Sequence, residues 1–250
     1  MSWTFVNSNG ASSSGSVATL GVAVTGCNAG DVAFIASKHE GTVATTPTVS
    51  DGNGSTYTRV ITEQGVSSAA PWLSMFWGVL AAGGSITFTV NFNAVKTFRD
   101  IAVIVYTPPA GATLSLDGTP ISVGHAAAAA VSSGNITTTG TDGIAVGGYG
   151  SFGDDISSML INGGAADHTQ KASATNSAIW TRAYAAGFTG AATGTTAGAN
   201  TWDAAAFAIK AVVSGGGGGT EGYRKSSGFR PAVFKPMGDA FRPAKFGGWR

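Results

Sequence analysis

Charge is scarce in this chain: Lys, Arg, Asp and Glu make up 11% of its 250 residues, against about 25% in an average soluble domain. Glutamate is rarer still, present only as Glu40, Glu63 and Glu221. The single cysteine, Cys27, excludes an intrachain disulfide and a cysteine-based zinc site, and its expected role is that of a small buried hydrophobe. His39, His125 and His168 stand alone, without the His-x-His or His-x₃-His spacing of a metal site on strands or helices. The opening MSWTFVNSNG lacks the basic and apolar regions of a secretory signal, and no apolar run approaches the roughly 18 residues of a membrane span. The expectation is a protein made in the cytoplasm without a signal peptide, which stays there or leaves by lysis or inside an assembled particle, with no membrane partner and no cofactor.

Small and β-branched residues take the place of charge. Asp31-Val-Ala-Phe-Ile-Ala-Ser37, Ser85 to Phe92 and Asp100 to Tyr106 are short β-branched and aromatic runs bounded by turn-formers. In the second, Ile86, Phe88, Val90 and Phe92 alternate with Thr87, Thr89 and Asn91, which predicts one buried and one wet face. The run Ile101 to Tyr106 is apolar on both faces and predicts a central strand. Turn signals recur at Asp51-Gly-Asn-Gly54, Ala82-Gly-Gly84, Pro108-Pro-Ala-Gly111, Asp117-Gly118, Asp142-Gly143 and Asn162-Gly-Gly164. Many short strands with frequent turns indicate an all-β sandwich or barrel. Only His125 to Ala130 and Asp154 to Leu160 carry any helical propensity, the latter enough for one or two turns.

The chain also echoes itself. GDVAFIASKHE, PWLSMFWGVLAAG and RDIAVIVY in the first half are followed, in the same order, by TDGIAVGGYGSF, AIWTRAYAAG and TWDAAAFAIKAVV in the second. Either an ancient duplication or the shared pattern of two sandwich halves accounts for this.

The succession of a GD-initiated apolar strand, TVSDGNGSTYTRV, a Trp-rich strand, AAGGSITFTV, IAVIVY, NITTTGTDGIAVGGY and TWDAAAFAIK resembles β-sandwich modules of tailed-phage virion proteins and prophage-encoded surface proteins. The resemblance spans roughly residues 15–213 and implies a jelly-roll-like sandwich in a multimeric virion component. It implies no catalytic residues.

Chemical motifs are weak. Gly148, Gly150 and Gly153 match Gly-x-Gly-x-x-Gly, but Asp154 and Asp155 stand where a phosphate would sit, which favours a Gly-rich loop. Asp51-Gly-Asn-Gly-Ser-Thr56 lacks the further carboxylates of a calcium loop and reads as a tight turn. Asn53-Gly-Ser55 and Asn135-Ile-Thr137 match glycosylation sequons, without consequence outside a eukaryotic secretory route. Surface or loop positions are expected for the histidines, as against an acid–base or metal site assembled from His39, His168, Asp154 and Asp155. A glycosidase would have to use Glu40 and Glu63, whose contexts frame no sugar. Trp72, Phe76 and Trp77, with Trp180, Tyr184 and Trp202, suit a glycan-binding groove, a sandwich core or a subunit interface. Both faces of the strand around Trp72 are apolar, so it is either internal or covered by a partner.

The last residues differ from all that precede them. Through Ser214 there are seven Lys or Arg against eleven Asp or Glu; from Gly215 on there are seven against two, so an acidic body carries a basic tail. We divide the chain into a β-sandwich body (1–213), a Gly-rich linker (214–222) and an extended arm (223–250). The arm repeats Phe229-Arg-Pro-Ala232 as Phe241-Arg-Pro-Ala244, and prolines 231, 236 and 243 favour an extended path. Tyr223, Phe229, Arg230, Phe234, Lys235, Phe241, Arg242, Phe246, Trp249 and Arg250 are the candidate docking residues, being of the types that carry interface energy. The basic residues are spaced singly rather than in blocks, which favours protein over nucleic acid as the partner. The combined expectation is a non-enzymatic virion structural protein, a capsid decoration or cement protein that forms homo-oligomers and docks on other virion subunits through its arm. The alternative is a tail appendage or tail fibre component, or a receptor- or glycan-binding module using its tryptophans.

Overall fold

The β-branched runs pair antiparallel throughout, and each half of the chain builds its sheet around one very long strand. A computed structural model describes residues 2–41, 45–62, 71–172 and 176–213, all within the compact unit Met1–Ser214. The linker and the arm lie outside the described residues, which contain no helix. The first half comprises β1 (Thr4–Ser13), β2 (Val17–Cys27), β3 (Val32–Glu40), β4 (Thr48–Ser50), β5 (Thr56–Thr62), β6 (Pro71–Val79) and β7 (Gly84–Thr107). The second comprises β8 (Ala112–Leu116), β9 (Ile121–Thr137), β10 (Gly143–Ser151), β11 (Ile156–Ile161), β12 (Gly164–Ala165), β13 (His168–Lys171), β14 (Ser177–Tyr184) and β15 (Thr189–Val213).

The two strands expected at 85–92 and 100–106 are one strand, β7, which bends between Asn93 and Phe98, both at positive φ (56° and 48°). Its first part pairs with β2 and β4, and its second with β1 and β3. Because β3 continues to β6 and β6 to β5, the sheet runs β1-β7-β3-β6-β5, with β2 and β4 on the other limb of the bend. The second half repeats this scheme. The first part of β15 pairs with the end of β9 and with β11; its second part pairs with β8, the start of β9 and β10, and β10 continues to β14 and β13. The echo in the sequence is thus a repeat of topology. In register, Lys38 stands opposite Asp100 as Gly150 stands opposite Asp203.

Both segments with helical propensity are strands, β9 and β11. An alanine run has little intrinsic preference for a sheet, but pairing along β15 and packing of its neighbours outweigh propensity.

Strand alternation sorts the side chains into three cores. Val22, Val24, Ile86, Phe88, Val90 and Phe92 of the outer limb face Ala33, Ile35, Phe76, Ile101 and Val103. Cys27 joins this core, where burial pushes its thiol pKa up, with Asp31 adding to the shift. Thr87 and Asn91 are exposed between buried neighbours, as alternation requires. In the second half, Val131, Ile136, Ile156 and Ala192 face Tyr149, Trp180, Trp202 and Ala206. Between the halves, Val32, Phe34, Ala36, Met75, Ile104 and Tyr106 meet Ile144, Val146, Ile179, Phe207 and Ile209. The molecule is therefore an all-β sandwich of two antiparallel sheets, each folded over on itself. Side-chain contacts also cross this central interface. Phe5 stacks on His168 with ring centroids 3.8 Å apart, and the hydroxyls of Tyr106 and Thr181 are 2.7 Å apart.

Candidate functional site

At one end of the central interface the apolar core gives way to charge. Period-two alternation carries Lys38 onto the face of β3 that bears Val32, Phe34 and Ala36, and Asp100 onto the face of β7 that bears Ala102, Ile104 and Tyr106. Antiparallel pairing then sets the two side by side. Lys38 Nζ lies 2.7 Å from Glu40 Oε1 and 3.6 Å from Asp100 Oδ2, and all three residues are buried. Burial raises the pKa of the Asp100 carboxyl above its usual range, against the opposing pull of Lys38 and a hydrogen bond from Ser12. Asp100 Oδ2 itself accepts no hydrogen bond among the described residues. The Lys38 stem has room because the facing residue is Gly150: a Cβ there would lie 3.0 Å from Lys38 Cγ.

The neighbouring Arg99 holds the rim. Its buried guanidinium donates to Val17 O (2.9 Å), Thr19 O (3.0 Å), Ser13 Oγ (2.8 Å) and Gly15 O, fastening the turn between β1 and β2 to the bend of β7. Phe98 projects beside it, 51% exposed. Together Ser12, Ser14, Lys38, Phe98, Asp100 and Asn176 line an open cleft of ≈ 400 Å³. The second half has no such set: Trp202 and Gly150 occupy the places of Arg99 and Lys38, and only the aspartate recurs, as Asp203.

The residues singled out in the sequence fall elsewhere. Trp72 and Phe76 are interior, 4% and 1% exposed, because β6 lies between β3 and β5 with a core on each face. Neither can offer a face to a glycan, and the same holds for Trp180 and Trp202. Of the aromatics weighed on β6 only Trp77 reaches the surface, beside Val79, Pro108, Pro109 and Leu114 in a groove of ≈ 590 Å³, and its indole N–H finds no acceptor among the described residues. The docking residues Tyr223, Phe229, Arg230, Phe234, Lys235, Phe241, Arg242, Phe246, Trp249 and Arg250 all lie outside the described residues.

Among the described residues His39 and His168 stand apart and join no group with Asp154 or Asp155 that could hold a metal ion. His39 is buried, not on a surface or in a loop, and stacks against Trp72, whereas His168 packs on Phe5 in the other half; the side chain of His125 lies outside the described set. Asp155 pairs with Lys171 at 2.7 Å, and Asp154 accepts from the Gly198 amide. Among the described residues no group of three or more His, Cys, Asp or Glu could hold a metal ion. Glu40 is bound by Lys38, and Glu63 lies outside the described residues. The glycines of the Gly-x-Gly-x-x-Gly match are not a loop before a helix. Gly148 and Gly150 lie inside β10, where they admit Met75 and Lys38 from the facing sheet, and a strand follows.

Two buried aspartates hold turns. Asp51 accepts from the Asn53 amide, the Ser55 hydroxyl and the Tyr57 hydroxyl, and Gly52 and Gly54 supply the positive φ of the turn. Asp117 accepts from the Thr139 amide and hydroxyl (both 3.0 Å), the Gly140 amide (2.8 Å) and Tyr184 (2.8 Å). Burial pushes both carboxyls up, but these donors outweigh it and hold them below the usual carboxylate range. Sequence reasoning passed over Lys38, Asp100, Phe98 and Arg99. Their signal was charge closing one apolar strand, Lys38-His39-Glu40, and opening another, Arg99-Asp100, in a chain with little charge. No protein-family model, curated protein or solved structure matches this chain.

Proposed function

We propose that the protein is a non-enzymatic structural component of a phage particle, a decoration or cement subunit whose β-sandwich body is held on the shell by its C-terminal arm. The observation that carries this reading is the tail: a glycine run followed by Phe229-Arg-Pro-Ala232 and Phe241-Arg-Pro-Ala244, basic where the body is acidic. Two copies of one short motif suit two related docking places, as a repeating lattice of subunits provides. Phenylalanine anchors with adjacent arginines add contact area and charge-assisted hydrogen bonds without enlarging the body. The interior of the body supports the same reading. The buried carboxylates Asp51, Asp117 and Glu40 are bound within the fold itself, as suits a rigid subunit. Capsid rather than tail is favoured because an arm reaching across a lattice ties neighbouring subunits together.

Imaging of purified particles tests the reading. Wild-type protein should appear as regularly spaced density on the shell, and the double variant Phe229→Ala/Phe241→Ala should keep a folded body yet be absent from particles. Equal incorporation of the two proteins would remove the arm from the explanation.

A further inference from the structure

We propose that the cleft at Phe98, Asp100 and Lys38 is a binding site for a neutral saccharide unit. Three observations converge on it. First, Phe98 holds φ +48°, a left-handed conformation that is unfavourable for a bulky side chain and persists where the surroundings impose it. Among the described residues the other non-glycine positions at positive φ are Asn93, Ser158 and Asn162, all small and polar; of these four Phe98 alone directs a large apolar ring into solvent. Second, the cleft beneath the ring is built rather than incidental: Arg99 fixes the serine turn with four hydrogen bonds. Its volume of ≈ 400 Å³ falls in the range of about 300–1,000 Å³ usual for small-molecule sites. Third, the walls of the cleft carry neutral hydrogen-bonding groups, the hydroxyl of Ser14 and the amide of Asn176, while the charges of Lys38, Glu40 and Asp100 are buried and matched to one another.

Charge decides the ligand class. A cation at Asp100 Oδ2 would stand against the Lys38 ammonium, 3.6 Å from the same oxygen. An anion would meet the carboxylates of both Glu40 and Asp100. A neutral hydroxyl suits the site, because it can exchange hydrogen bonds with Ser14 and Asn176 without adding charge beside the buried cluster. A ring that carries several hydroxyls on its rim and C–H groups on its face also suits Phe98, whose exposed face is apolar. The aspartate is common to both halves of the molecule, whereas Lys38, Phe98 and Arg99 occur in the first alone, so the cleft is a specialisation of one repeat.

A glycan array probed with the full chain, followed by calorimetric titration of the retained glycan, tests the proposal. Wild type should retain at least one neutral glycan. Phe98→Ala, an exposed position, should weaken binding by about tenfold or more with near-ultraviolet dichroism unchanged, Phe98→Trp should restore it, and Trp77→Ala should leave it intact. Retention of no neutral glycan by the wild type overturns the proposal, as does binding that survives Phe98→Ala or that depends on Trp77. Neither result bears on the arm, which is read by incorporation of the Phe229 and Phe241 variants.

Discussion

Replacing Lys38 with methionine should destabilise the protein through charge rather than through volume. The methionine stem fills nearly the same space over Gly150, so little cavity arises, but Glu40 and Asp100 are left buried without their cation. At an effective dielectric of about 20, the 2.7 Å and 3.6 Å contacts are each attractive by roughly 5–6 kcal/mol before desolvation. Part of that loss is recovered because the ammonium need no longer be desolvated and the carboxylates can take up protons. The net cost should be about 3–5 kcal/mol, equivalent to a fall in Tm on the order of 10 °C for a body of this size. Urea and thermal unfolding at neutral pH measure it. The dependence on pH separates charge from packing. Without Lys38 the folded-state pKa of Asp100, already raised by burial, rises further above its unfolded value. The stability of the variant is then full below the unfolded carboxylate range and is lost as pH rises through the folded value. The deficit against wild type should therefore be small near about pH 4 and complete at neutrality. Adding Glu40→Gln and Asp100→Asn to Lys38→Met should recover most of it. A Lys38→Met deficit below about 1 kcal/mol at neutrality, or one that does not narrow in acid, would refute the buried cluster.

Gly10→Ala should probe the seam between the halves, since a Cβ on β1 would collide with Lys171 O and lie 3.0 Å from Ala172 Cα, both backbone atoms of the second half. A cost of about 1–3 kcal/mol in urea unfolding is expected, and a neutral result would mean that the halves do not approach so closely. Asp117→Asn should cost about 1–3 kcal/mol at neutrality. Because the Asp117 pKa is lowered in the folded state, its contribution is present above the unfolded carboxylate range and lost as pH falls through the folded value, so the deficit should shrink in acid. Unfolding curves of the variant and wild type that stay parallel from pH 7 to about pH 3 would contradict that assignment.

Much of the fold was legible because its physics is local. Alternation at Ile86 to Phe92 and the apolar run at Ile101 to Tyr106 fix which faces are buried, and Asp-Gly and Asn-Gly pairs mark turns such as those at Gly52 and Gly118, where φ is positive. The shared order of elements likewise reflected a repeat in the pairing of the strands. What stayed hidden depends on distant partners. Asn93 to Phe98 is polar and irregular, so it reads as a break, although β7 passes through it by bending. The alanines of β9 have no preference strong enough to resist β15. The cleft joins residues 12, 38, 98 and 176, which only the pairing of β1, β3 and β7 and the packing of the second half bring together. For the tryptophans the sequence left core, interface and glycan groove open, and the choice depends on distant partners too: on β6 both faces are covered, one by the outer limb of its own sheet and one by the other half, so the strand is internal.

The placing of β7 and β15 at the end of their respective halves sets an order in time. Each is the central strand of its sheet, pairing with four others in every case, and each is synthesised after the strands it joins. On a ribosome the first half has all its strands once Thr107 has emerged, whereas β8, β9, β10 and β11 must wait for β15, the strand they share. During that wait the apolar face of the first half, with Phe34, Met75 and Ile104, is complete but uncovered, and such a surface invites association with a second nascent copy. The repeated architecture therefore makes the interval between residues 107 and 213 the vulnerable stage in the life of this protein, and slowing elongation there should raise aggregation more than slowing it anywhere earlier.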